Sequence, residues 1–115
     1  MNRIELDNYM NRADNTRSRV LTGKRNGEEV RIKSRLDEIF SGREPLTVVV
    51  PDDVFSVTPS FLEEMFKNVV LKYGRNVVLE NVKFKGKYKI QSAFDEAVNR
   101  IILSDSDSVG NVSVA

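Results

Sequence analysis

Between two prolines lies the run Leu46-Thr47-Val48-Val49-Val50, and it constrains the fold more than any other stretch of the chain. Valine and threonine are stiff at χ1 and pack well on a pleated surface, so a run this rich in them points to a strand. Pro45 turns the chain into it, and Pro51-Asp52-Asp53 turns the chain out. A continuous apolar run, rather than an alternating one, fits a buried central strand of a parallel sheet.

The residues that follow supply a helix to pack on it. In Thr58-Pro59 the threonine can cap a helix, and the proline occupies the first helical position, where its missing N–H costs nothing. Glu63 and Glu64 favour that positive helix end, while Phe61, Leu62, Met65, Phe66, Val69 and Val70 form an apolar stripe that predicts a helix to Tyr73, stopped by Gly74. Short strands are expected at Ile4 to Leu6 and at Val20-Leu21. Asn26 and Glu29 resemble a capping box, which starts a helix over 27–41 with Val30, Ile32, Leu36, Ile39 and Phe40 on one face. Asn76 to Phe84 reads as a strand, with Val77 and Leu79 on one side and Val78, Val82 and Phe84 on the other. Helical spacing of Ile90, Phe94, Ala97, Val98, Ile101 and Ile102 predicts a last helix over 88–103. Alternating strands and helices give an α/β fold with a small mixed or mostly parallel sheet and about three helices. Residues 1–104 read as one domain, and the polar stretch 105–115 as a disordered tail.

Composition narrows the chemistry. A chain of 115 residues, 40% hydrophobic and 30% charged, fits a single folded domain. With neither histidine nor cysteine it lacks the usual general base, thiolate nucleophile and soft metal ligands. No run approaches the roughly 20 apolar residues needed to span a bilayer, and the opening MNRIELDNYM has no apolar stretch of signal-peptide kind, so the expected setting is cytoplasmic with no membrane partner. A formal charge of +1 supplies no strong field for nucleic acid.

Several local patterns invite function and have a plainer use. Thr22-Gly23-Lys24-Arg25-Asn26-Gly27 lacks the glycine spacing of a phosphate loop, and Asp105-Ser106-Asp107 opens like a calcium loop that the chain is too short to complete. Asp52 and Asp53 follow the central strand, where a carboxylate pair could hold magnesium for phosphoryl transfer; aspartate in a turn is the commoner use. Arg12, Arg17, Arg19, Lys24 and Arg25 make a local basic segment, and Lys83, Lys85, Lys87 and Lys89 alternate with Phe84 and Tyr88. Both could touch nucleic acid, but a solvated loop and a strand with one solvated, aggregation-guarding lysine face account for them more simply. Ser56, Thr58 and Ser60 cluster at the predicted helix start, where a phosphate would be favourably received.

From about Ser18 to Leu103 the chain resembles the STAS-like domains found in bacteria and their phages. The resemblance rests on the strand Leu46 to Val50, the Asp-containing turn, and Ser60-Phe61-Leu62-Glu63-Glu64, which fits a Ser-Phe-x-[DE]-E core. It implies no enzyme activity and no cofactor, but a regulatory protein-binding module, paired with a histidine-kinase-like ATPase or a host regulator. In the wider superfamily of anti-sigma-factor antagonists, a serine at this helix start is phosphorylated to switch binding. Here Pro59 stands where that serine is expected, and Pro51 replaces the usual strand-end aspartate. Asp53, Ser56, Thr58 and Ser60 are therefore the expected partner-binding or phosphorylatable residues. Oligomeric state is left open.

Overall fold

The computed structural model describes residues 2–9, 20–21, 24–52, 54 and 56–114, with backbone alone at 20–21, 24–25 and 105–114. Among the described residues five strands, β1 (Asn2–Glu5), β2 (Val20–Leu21), β3 (Leu46–Val49), β4 (Ser56–Val57) and β5 (Val82–Lys85), are joined by a short 3-10 helix (Leu6–Tyr9) and five α-helices. These are α1 (Lys24–Ser34), α2 (Leu36–Ile39), α3 (Pro59–Tyr73), α4 (Arg75–Asn81) and α5 (Gln91–Val114). The fold is α/β.

The main sheet has the order β1-β3-β5, all parallel, so the β-branched run is indeed its centre. A second, two-stranded parallel sheet joins β2 to β4. Register places Ile4, Val48 and Phe84 side by side across the main sheet, and Asn2, Leu46 and Val82 in the row before. Helix α3 packs most extensively against α1 and α5, and these helices cover one face of the sheet.

Helix α3 follows its sequence closely. Thr58 Oγ1 accepts from the Phe61 N–H at 3.4 Å, Pro59 occupies the first turn, and Gly74 closes the helix at φ 93°, where a side chain would be strained. All six residues of the predicted stripe are buried. Beneath them Phe66, Phe84 and Phe94 meet edge to face, with centroids 4.9 to 6.1 Å apart, which ties α3, β5 and α5 into one core.

Elsewhere the structure corrects the sequence. The first predicted helix is two helices, broken where Arg35 adopts φ 58°, which lets both Leu36 and Phe40 reach the core. It starts at Lys24, so Asn26 lies inside the first turn rather than capping it. Gly27 serves close approach instead: a Cβ there would lie 2.1 Å from the Phe61 carbonyl oxygen, so α1 sits against the backbone of α3 only because the side chain is missing.

The predicted strand over 76–84 is helix α4 followed by β5. A short apolar run does not distinguish the two by periodicity. Its partner β3 is only four residues long, so a strand from Asn76 would have had no neighbour for its first half. As a helix that half buries Val78 and half-buries Val77 and Leu79. The last helix begins later than expected, at Gln91, and its backbone is helical to Val114.

Candidate functional site

Of the residues singled out at the start of α3, Asp53 lies outside the described residues. Ser56 is half-buried in β4 beside Val20, and Thr58 caps the helix. Ser60, half-buried in the first turn, lies one residue before Phe61, whose carbonyl Gly27 crowds. The loop after β3 is held inward, since the Val54 N–H donates to the Pro51 carbonyl at 3.0 Å and the Val54 side chain is buried. Asp52 is exposed beside it, and among the described residues no three His, Cys, Asp or Glu side chains gather to hold a metal ion. Arg12, Arg17 and Arg19 lie outside the described residues, as do Thr22 and Gly23.

A polar cluster joins three helices, α1, α2 and α3. Arg31 of α1 is almost buried; its Nη1 donates to the Glu64 carbonyl at 2.6 Å and lies 3.6 Å from Glu64 Oε1. Its Nε is 3.8 Å from Asp37 Oδ2 of α2, and that carboxylate also accepts from Asn68 Nδ2 at 2.7 Å. Every member is turned toward another helix of the same chain. The cluster fastens α1 and α2 to α3.

The sheet provides a different kind of surface. One face is the core, with Ile4, Leu46, Val48 and Val82 buried. On the other face the register sets Arg3, Thr47 and Lys83 in one row and Glu5, Val49 and Lys85 in the next. Arg3, Glu5, Lys83 and Lys85 are exposed, and Thr47 and Val49 at the centre are half-buried. A continuous apolar run suggests cover on both sides, whereas here, among the described residues, none of the six strand side chains on this second, bare side is buried.

The two edges of that sheet differ. On β1, Arg3 and Glu5 neutralise each other at 2.9 Å, and the Asn2 side-chain amide donates to the Ile39 carbonyl, tying the strand start to α2. On β5 and the turn after it, Lys83, Lys85, Lys87 and Lys89 are all exposed, and among the described residues none of them joins an ion pair. The Val50 N–H donates to the Lys85 carbonyl at 2.7 Å. Main-chain groups alternate in direction along a parallel strand, so Lys83 and Lys85 bond toward β3 while Phe84 between them points its N–H and C=O outward. Among the described residues no backbone hydrogen bond meets them there.

Sequence reasoning recognised the lysine alternation but not this juxtaposition. Arg3, Thr47 and Lys83 become neighbours only through strand order. The signal available was the period of two in Arg3-Ile4-Glu5 and Lys83-Phe84-Lys85, which marks one solvated face. No family model, curated protein or solved structure matches the chain.

Proposed function

We propose that this protein is a non-catalytic regulatory module, working in the cytosol, that binds another protein across the bare side of its parallel sheet. The observation that carries the reading is the half-covered sheet itself. Parallel sheets are almost always covered on both faces, because each face otherwise leaves apolar strand surface in water. Here Thr47 and Val49 sit half-buried in the middle of a face whose rim is charged, an apolar-centred, polar-rimmed arrangement common at protein interfaces. The resemblance to STAS-like domains supports the same class of function, with a histidine-kinase-like ATPase or a host regulator as the partner.

Capture from a lysate of the native host tests this when wild type is compared with Thr47→Glu. The new carboxylate stands between Arg3 and Lys83, so cross-strand attraction favours the folded state while the face loses its uncharged centre. A protein retained by wild type should be lost by Thr47→Glu and kept by Ser60→Asp. Equal retention by Thr47→Glu would move the partner surface off the sheet.

A further inference from the structure

We infer that the outer edge of β5 binds an acidic peptide segment in extended conformation, which adds to the sheet as a fourth strand. The inference rests on the sheet being the working surface and names the chemistry of what binds there. Two features converge on this edge. Phe84 offers an outward N–H and C=O that only another main chain can pair regularly. On either side of it Lys83 and Lys85 project to the bare face, and Lys87 and Lys89 continue the positive charge beyond the strand.

Those lysines also decide between occupants. A second copy joined β5 to β5 would set Lys83 and Lys85 against their own counterparts, and like charges opposite one another on paired strands repel. An added strand with glutamate or aspartate at alternate positions meets them instead at cross-strand distance, about 5 Å. Glu5 does not serve as the internal partner: it is paired with Arg3 at 2.9 Å and sits two strands away from Lys85. A single-stranded nucleic acid would need an aromatic platform. The rings nearby are committed to the core: Phe84 stacks edge to face on Phe94 at 5.0 Å, and Tyr88 packs against the same cluster.

The test is a titration of the full chain with a capped synthetic peptide of alternating glutamate and valine. Two comparison ligands accompany it: the same peptide N-methylated at alternate amides, which keeps its charge but cannot complete a strand ladder, and a single-stranded DNA of matching charge. The alternating peptide should bind, weaken as salt rises, and lose at least tenfold in affinity on N-methylation and again with Lys83→Glu/Lys85→Glu. Equal binding of the N-methylated peptide would reduce the edge to a nonspecific charged patch and overturn the inference. Tighter binding of the DNA, or no binding of the peptide at millimolar concentration, overturns it as well. If it fails while Thr47→Glu still abolishes capture of the host protein, the bare face remains the interface and only strand addition is rejected.

Discussion

The two faces of the main sheet are built from alternate residues of the same three four-residue strands, yet they are opposite in kind. On one, Ile4, Leu46, Val48 and Val82 are buried under helices and Phe84 joins a ring cluster. On the other, Arg3, Glu5, Lys83 and Lys85 stand in solvent around Thr47 and Val49. A period of two in the sequence is enough to make this difference, because successive side chains leave a strand on opposite sides. The covered face holds the molecule together.

If that division is right, substitutions should sort by face. Phe66→Ala removes the ring that links α3 to both β5 and α5, and lost burial with a residual cavity should cost about 3 to 5 kcal/mol in a denaturant melt. A loss below about 1 kcal/mol would mean that the three-ring core is not a principal source of stability.

Arg31→Ala comes next. It deletes a charged donor to the Glu64 carbonyl and leaves Glu64 and Asp37 without their shared cation, at an expected cost of about 1.5 to 3 kcal/mol by the same melt. Because this cluster lies on the helical layer, peptide or partner affinity should not move once the variant is folded.

Gly27→Ala tests the helical layer from another direction. Alanine gains helix propensity of up to about 1 kcal/mol, but its Cβ would meet the Phe61 carbonyl oxygen, a backbone atom that yields only if α3 shifts. Overpacking should win, with a net loss of about 1 to 3 kcal/mol in thermal or denaturant unfolding. A stabilised Gly27→Ala would show that α1 and α3 have room to part.

The smallest effect belongs to the bare face. Thr47→Glu should change unfolding free energy by no more than about 0.5 kcal/mol, since no tight packing is disturbed and Arg3 and Lys83 flank the new charge. A large loss of stability would place Thr47 in the core architecture and erase the contrast between the faces.

How much of this was legible in advance follows the range of the forces involved. Thr58, Pro59 and Gly74 are local signals, and they set the bounds of α3 where the sequence puts them. Leu46 to Val50 identified the central strand for the same reason. Gly27 and Arg35 depend on what packs against them from elsewhere in the chain, so a capping box was read where a close helix contact exists, and a straight helix where there is a break. Asn76 to Asn81 was misread as strand because the length of β3, which limits how many residues can pair, is set elsewhere in the chain. The bare face was visible only in fragments, because rows such as Glu5, Val49 and Lys85 are assembled from segments far apart in sequence.

Amide hydrogen exchange, measured on the chain alone and with its captured partner, tests the central claim most directly. The free protein should exchange Phe84 readily despite its place in a strand, because its N–H points away from β3. Partner binding should slow exchange at Phe84 and leave Thr58 to Phe61 unchanged. Slowing at Thr58 to Phe61, with Phe84 unaffected, would contradict the account and move the working surface to the start of α3.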